Sequence, residues 1–97
     1  MVGYDIFKKC NNLVTERDIA KAFNISISKS RYKLNALVYS KLIKKIKIDN
    51  YIYYININIY KEASKNIIFR NTKNLLVRDY NRVLISEIIN IINRNYE

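Results

Sequence analysis

The sequence predicts a mainly helical α+β domain built around one β-hairpin. Apolar residues recur with helical spacing as far as Leu42, alternate with a period of two over residues 43–58, and return to helical spacing from about residue 73. The chain of 97 residues contains no proline and one glycine, so it offers no obvious linker. We expect one folded unit over residues 1–60 and a C-terminal extension over residues 61–97.

The first helix is predicted over residues 3–13. Its apolar residues recur at the spacing of one helical face: Ile6, Phe7, Cys10 and Leu13. Cys10 is the single cysteine of the chain and cannot form an internal disulfide. We therefore interpret Cys10 as a small core residue rather than a redox group.

A second, shorter helix is predicted over residues 16–23, where it should bury Ile19, Ala20 and Phe23. Thr15 begins a capping signal, since its hydroxyl can accept from the amide three residues on and the Asp18 carboxylate can reach back to the Thr15 amide. Asn24 is expected to end this helix, because asparagine tolerates the left-handed conformation that closes a helix.

The third helix is predicted over residues 27–40, with Ser26 or Ser28 as its N-cap. One sector of the helix carries the residues expected to face inward: Ile27, Ser30, Leu34, Leu37 and Val38. The opposite side carries small, basic and aromatic residues: Ser28, Lys29, Tyr32, Lys33 and Ala36, with Arg31 on the shoulder. A solvated helix face usually mixes both charges, so this face favours a negatively charged partner.

The alternating segment at residues 43–58 predicts a hairpin around a two-residue turn of Asp49 and Asn50, since both residue types accept a positive φ. That turn sets the pairs of the inward face: Ile48 with Tyr51, Ile46 with Tyr53, and Lys44 with Ile55. The other face then holds a basic and aromatic set: Lys45, Lys47, Ile52, Tyr54 and Asn56. Tyr51 and Tyr53 are interpreted as core residues, whereas Tyr54 is open between core and surface.

The C-terminal extension begins with residues 61–72, for which we favour a third strand at 66–70 over the start of a long helix. A helix predicted over residues 73–95 is apolar around more of its circumference than one amphipathic face can hide. We expect this helix to form a homodimer with a second copy, although packing on the first helix of its own chain stays open. The expected interface residues are Leu76, Tyr80, Leu84, Ile85, Ile88, Ile89 and Ile92.

Three helices and then a basic hairpin, with two of the helices joined by a tight turn, is the element order of a winged helix-turn-helix. The pattern is carried by Thr15, Asp18, Ile19, Ala20, Phe23, Ile25, Ser26, Ser28, Leu34, Leu37, Leu42 and Ile43. Over roughly residues 14–57 the chain resembles winged-helix transcriptional regulators of the multiple-antibiotic-resistance (MarR) and arsenical-resistance (ArsR) classes, and small winged-helix proteins of archaea and their viruses. Two residues depart from the pattern: Asn24 replaces a usual glycine, and Ser30 replaces an inward branched aliphatic residue.

The resemblance implies that the helix at residues 27–40 lies in the DNA major groove and that the hairpin at residues 43–58 is a wing on the flanking backbone. The charge pattern agrees with this. Eight basic residues and no acid lie between Asp18 and Asp49: Lys21, Lys29, Arg31, Lys33, Lys41, Lys44, Lys45 and Lys47. We expect a sequence-specific regulator that binds double-stranded DNA as a homodimer on an inverted repeat.

The residues expected to bind DNA are Ser26, Ser28, Lys29, Arg31, Tyr32, Lys33, Lys45, Lys47 and Asn50. Arg31 can donate to guanine edges, while Lys45 and Lys47 are expected on phosphates. Two other uses of the same fold stay open. The hairpin tyrosines allow RNA binding through unpaired bases, and a winged helix can also serve only to bind another protein.

Composition weighs against catalysis, because the chain has no histidine, one cysteine and no glycine-rich loop, and its eight acids are scattered. A metal-dependent nuclease built on carboxylates is the remaining enzymatic alternative, and we expect no cofactor. The net charge of +10 favours nucleic acid over an anionic membrane surface.

The longest apolar runs are four or five residues, far below the roughly 20 that span a bilayer. We therefore expect no membrane partner and an intracellular location, in the cytoplasm or in a host cytoplasm if the protein is viral. The abundance of Ile, Asn, Lys and Tyr is typical of an AT-rich genome such as that of a virus or mobile element.

Overall fold

The structure of the protein is a computed structural model that describes residues 2–68 and 77–94. Within these residues, five helices and one two-stranded antiparallel hairpin make a small, mainly helical α+β domain, an arrangement compatible with a winged helix. The helices are α1 Val2–Lys9, α2 Glu16–Phe23, α3 Ile27–Tyr39, α4 Ile57–Ile68 and α5 Val77–Arg94, and the strands are β1 Ile43–Ile48 and β2 Tyr51–Asn56.

Helix α1 is shorter than the predicted 3–13, because the chain leaves the helix at Cys10 to pair with the hairpin. The Asn56 amide donates to the Cys10 carbonyl oxygen at 2.7 Å, and Val14 and Tyr54 exchange two backbone hydrogen bonds of 2.7 and 3.1 Å. These bonds provide partners for backbone N–H and C=O groups on the edge of β2 that faces away from β1. The Cys10 side chain is fully buried, which confirms its assignment to the core.

Both ends of α2 and the start of α3 have the predicted capping residues. The Thr15 hydroxyl accepts from the Asp18 amide at 3.2 Å, and the Asp18 carboxylate accepts from the Thr15 amide at 2.9 Å. Asn24 closes α2 in the left-handed conformation with a φ of 53°. Ser26 is the N-cap of α3, where its hydroxyl accepts from the Lys29 amide at 3.1 Å. Local side chains thus set the angle between the two helices without a glycine.

The hairpin has the predicted register, with Ile48 opposite Tyr51 and Ile46 opposite Tyr53. Of the two turn residues only Asp49 has a positive φ, at 53°. Strand β2 ends at Asn56, two residues before the predicted limit of the hairpin. The Asn56 side-chain oxygen accepts from the amide of Asn58 at 2.8 Å, as an N-cap residue does, so the chain turns directly into α4.

The strand favoured at residues 66–70 is wrong in its described part, because α4 continues through Ile68. Ala63 and Ile67 lie one helical turn apart and are both fully buried, so this segment buries residues at helical and not at strand spacing. Residues 69–72 lie outside the described residues. Helix α4 also spans residue 60, where we placed the end of the first unit.

The hairpin lies between two hydrophobic clusters, each on one of its faces. The head cluster consists of Ile6, Cys10, Val14, Ile19, Leu34, Ile43 and Tyr54. The tail cluster consists of Ile46, Ile55, Ala63, Ile67, Leu84, Ile88 and Ile91. Since successive strand residues point to opposite faces, Ile43 and Tyr54 serve the head cluster and Ile46 and Ile55 serve the tail cluster. Both faces of the small sheet are therefore covered near its base.

This position between two clusters corrects several side-chain predictions. Tyr54, left open between core and surface, is fully buried, whereas Tyr51, predicted as core, is 64% exposed at the tip of the hairpin. Lys44, placed on the inward face, is exposed, and its ammonium lies 5.3 Å from the centre of the Tyr60 ring. Ile27, predicted to face inward on α3, is 45% exposed because it occupies the first turn, beyond the edge of the head cluster.

Helix α5 packs on α4 and β1 of its own chain. Leu84 and Ile88, expected at a dimer interface, are buried in the tail cluster, so the chain itself covers these two positions. Tyr80, Ile85 and Ile92 are partly buried, Ile89 is 44% exposed, and Leu76 lies outside the described residues. The helix was predicted over 73–95, and its described part is Val77–Arg94.

Alkaline pH should destabilise the protein through two buried groups. Burial raises the pKa of the Cys10 thiol to about 12, and burial together with the adjacent Glu16 carboxylate raises the pKa of the Tyr54 hydroxyl to about 12. In the unfolded chain these groups ionise near pH 8.5 and 10, respectively. Their stabilisation is therefore complete below the unfolded values and is lost as the pH rises towards 12.

We expect the free energy of unfolding, measured with urea, to fall by up to about 1.4 kcal/mol per pH unit for each group in its window. A Tyr54→Phe variant should lose stability less steeply between pH 10 and 12 than the wild type. Tyr4→Phe, which changes an exposed tyrosine, should keep the wild-type slope. An unchanged slope in Tyr54→Phe would show that this hydroxyl does not titrate with unfolding.

Candidate nucleic-acid interface

The outward face of α3 carries exposed polar and aromatic side chains along its whole length. We call the set Ser28, Tyr32, Asn35 and Tyr39 the α3 stripe. Tyr32 is 76% and Tyr39 is 90% exposed. The opposite side of the helix packs inward through Ser30 and Leu34, both fully buried. The stripe is therefore the side of α3 that is open to a ligand.

The basic residues predicted on α3 flank this stripe. Lys29 and Lys33 each follow a stripe residue by one position, which places them about 100° around the helix from the stripe; Lys29 is exposed and Lys33 is partly buried. Sequence reasoning identified Ser28 and Tyr32 but missed Asn35 and Tyr39. Their signal was the spacing of three and seven residues from Tyr32, which places all three on one helical face.

Glu16 joins three elements beside the stripe. The Ser30 hydroxyl in α3 donates to the main-chain carbonyl oxygen of Glu16 at 2.6 Å. The Tyr54 hydroxyl in β2 donates to the Glu16 carboxylate at 3.3 Å, and Arg31 donates to both carboxylate oxygens at 3.0 and 3.3 Å. This network explains the serine at an inward position of α3, because its hydroxyl has an acceptor there.

Arg31 is engaged within the chain. Its Nε and Nη2 groups face Glu16, and that hydrogen-bonded ion pair raises the pKa of the guanidinium. This pairing uses the Nε and Nη2 side of the guanidinium, and a guanidinium has five N–H donors. Arg31 is the counter-ion of Glu16 within the chain, and its contact with guanine stays a prediction. The Ser26 hydroxyl caps α3, and its contact with DNA stays a prediction as well.

The wing lysines, Lys45 and Lys47, are exposed on one face of β1. This face also carries Tyr54 and Ile52 on β2, which pack against the head cluster formed with α1, α2 and α3. The other face is covered by the tail cluster. The wing lysines therefore lie on the same side of the hairpin as the three N-terminal helices.

A groove of about 400 Å³ separates the tip of the hairpin from the starts of α2 and α3. Its lining residues are Thr15, Glu16, Arg17, Ile27, Asn50, Tyr51 and Ile52. Asn50, one of the residues expected to bind DNA, thus lies on the groove with Arg17, an exposed basic residue outside the predicted set. The Tyr51 ring stacks on Tyr53 with 6.4 Å between ring centres.

Helix α5 supports the wing from the tail side. The Asn81 side-chain amide donates to the carbonyl oxygen of Lys47 at 2.9 Å, and Arg82 donates to the Asp49 carboxylate at 3.2 Å. The contacts hold the last residues before the turn and the turn itself. The Arg82 guanidinium also pairs with the negative charge of Asp49, the acid at which the basic region of the sequence ends.

No group of three or more histidine, cysteine or acidic side chains that could hold a metal ion occurs within residues 2–68 and 77–94. Over the same ranges, no helix has the length and apolar character needed to cross a bilayer. Neither protein-family models, nor curated proteins, nor solved structures gave a match to this chain.

Replacing Glu16 with alanine should destabilise the fold. The variant leaves the buried Tyr54 hydroxyl without its acceptor and Arg31 without its counter-ion. We expect the free energy of unfolding in urea to fall by about 1–3 kcal/mol. Glu62→Ala, which removes an exposed acid from α4, should change stability by less than about 0.5 kcal/mol. Equal stabilities of the two variants would mean that the Glu16 carboxylate does not stabilise the fold through Tyr54 and Arg31.

Proposed function

We propose that the protein binds double-stranded DNA through the α3 stripe and the wing lysines and regulates transcription in a sequence-specific way. The observation that carries this proposal is the charge of the segment that forms α3 and β1. Eight basic residues and no acid lie between Asp18 and Asp49. The acids at its borders are engaged within the chain, Asp18 in the α2 cap, Glu16 with Arg31 and Asp49 with Arg82.

The shape of the surface supports the same proposal. Helix α3 has 13 residues, which makes it about 20 Å long, and it is exposed along one whole side. The major groove of DNA, about 12 Å wide, admits such a helix. With α3 in the groove, the wing lysines would meet the phosphates that flank it and fix the register without reading sequence.

The alternative of RNA binding has less support from the structure. RNA readers stack unpaired bases on aromatic residues exposed on a sheet. On this hairpin Tyr54 is fully buried and Tyr53 is partly buried, which leaves Tyr51 at the tip. Among the described tyrosines, the two most exposed, Tyr32 and Tyr39, lie on α3 and not on the hairpin.

The wing lysines give a direct test of DNA binding. In a Lys45→Ala, Lys47→Ala double variant, affinity for duplexes of any sequence should fall alike, because phosphate contacts carry no sequence information. The slope of log affinity against log salt concentration should become shallower by about 0.9 per lost contact, measured by fluorescence anisotropy in a potassium chloride series. Lys61→Ala, Lys65→Ala removes the same charge from exposed positions on α4 and should keep the wild-type slope.

Competition then separates the alternatives. Unlabelled duplex DNA should displace a labelled duplex more effectively than single-stranded RNA of the same length. Stronger competition by the RNA would assign the surface to RNA. If the protein binds neither duplex DNA nor RNA at any salt concentration, the proposal of DNA binding is wrong, and binding to another protein is the remaining alternative.

We further propose that α5 pairs with a second copy of the chain. Ile89 is the large apolar side chain of α5 that is most exposed, and partly buried Ile85 and Ile92 lie four residues before and three after it. Pairing about a two-fold axis would place two α3 helices about 34–36 Å apart, one turn of DNA. The target would then be an inverted repeat.

The variant Ile89→Lys should dissociate this dimer without unfolding the chain, since Ile89 lies outside the tail cluster. Sedimentation velocity at micromolar concentration should show a dimer for the wild type and a monomer for the variant, with a parallel loss of DNA affinity. Asn12→Lys adds the same charge at an exposed residue between α1 and α2, outside α5, and this variant should stay dimeric. Ile88 is unsuitable for this test because it is fully buried. If the wild type is a monomer, the dimer proposal is wrong, and the proposal of DNA binding is unaffected.

A further inference from the structure

The α3 stripe contains one side chain that can recognise a base through two hydrogen bonds at once. We infer that Asn35 reads an adenine in the DNA major groove and is the principal specificity-determining residue of α3. The inference rests on the proposed function, and it adds the base that is read and the residue that reads it.

Asn35 occupies the middle of the stripe. It follows Tyr32 by three residues and precedes Tyr39 by four, so these side chains fall within a sector of roughly 60° around the helix. Asn35 is exposed, and no side-chain hydrogen bond of Asn35 is found within residues 2–68 and 77–94. Asparagine is a poorer helix former than alanine, and the described residues provide no side-chain partner that offsets that choice at this position.

The chemistry of the amide matches adenine. Adenine presents the N7 acceptor and the N6 amino donor in the major groove, and a carboxamide offers one donor and one acceptor at the matching spacing. The three other residues of the stripe each carry a single hydroxyl, which cannot make such a pair. The Arg31 fork, the other bidentate donor on α3, is turned to Glu16.

The neighbours of Asn35 suit an A·T pair. Ala36 is exposed beside it, and its methyl group is of the kind that contacts the thymine methyl group. Tyr32 and Tyr39 lie about one turn before and one turn after Asn35 along the helix, and their rings add apolar surface on either side of it. The stripe thus combines one bidentate polar group with apolar surface, which is the combination that an A·T pair presents in the major groove.

The experiment begins with selection from random DNA duplexes by the wild type and by Asn35→Ala. The wild type should select a site with at least one strongly preferred A·T position. Asn35→Ala should lose the preference at that position and keep the preferences elsewhere. The substitution is at an exposed helical residue, so the variant should fold. Asn58→Ala, at an exposed residue of α4, should select the wild-type site.

A modified base gives the second readout. In the selected duplex, 7-deazaadenine at the preferred position removes the N7 acceptor and leaves pairing with thymine intact. Wild-type affinity should fall on the order of 10-fold, which is the loss of a good bidentate contact. Asn35→Ala should bind the natural and modified duplexes equally, because the two changes remove the same contact.

The outcomes separate the inference from the proposed function. If Asn35→Ala keeps the A·T preference and still responds to 7-deazaadenine, another residue reads the adenine and the inference fails while DNA binding stands. Salt-dependent binding by the wild type without any sequence preference also overturns the inference alone. Absence of duplex binding by the wild type overturns both.

Discussion

The geometry of the proposed reading surface depends on the hydrogen bonds that converge on Glu16. Apolar packing of Leu34 on the head cluster holds α3 close to the other helices, but dispersion contacts are only weakly directional. The Ser30 hydroxyl and the Tyr54 hydroxyl both donate to Glu16, one from α3 and one from β2. Hydrogen bonds in a partly buried network fix orientation as well as distance. Glu16 therefore fixes both the rotation of α3 about its axis and the position of β2 at Tyr54.

A second consequence of this arrangement is electrostatic. The acids nearest to the surface all serve the fold: Glu16 joins three elements, Asp18 caps α2 and Asp49 binds Arg82. Each of these carboxylates therefore has a partner within the chain, and for Glu16 and Asp49 that partner is an arginine. The repulsion in a chain with a net charge of +10 opposes compaction, and a bound polyanion would relieve it. The net charge thus favours the proposed partner of opposite charge.

Features encoded within a few residues were predictable from the sequence, and features that need a distant partner were not. The left-handed Asn24 and the hairpin register follow from local turn chemistry. The burial of Tyr54 depends on α1, α2 and α3, which pack on its face of the sheet and which no pattern near Tyr54 encodes. In the candidate site, charge located the lysines, but the pairing of Arg31 with Glu16 joins residues 15 positions apart and became visible only in the structure.

Helix α5 contacts both the hairpin and α4, although the sequence predicted a first unit over residues 1–60 and a separate C-terminal extension. Its buried face completes the tail cluster, Asn81 and Arg82 hold the wing, and Ile89 points away from both. A partner that binds along Ile89 therefore contacts the same rigid helix that positions the wing, with no flexible linker between them. If two copies pair through α5, the separation of their wings is set by the packing of one helix. The spacing of half-sites on DNA then becomes a property of the fold, because moving one wing requires breaking the tail cluster or the α5 contacts that hold it.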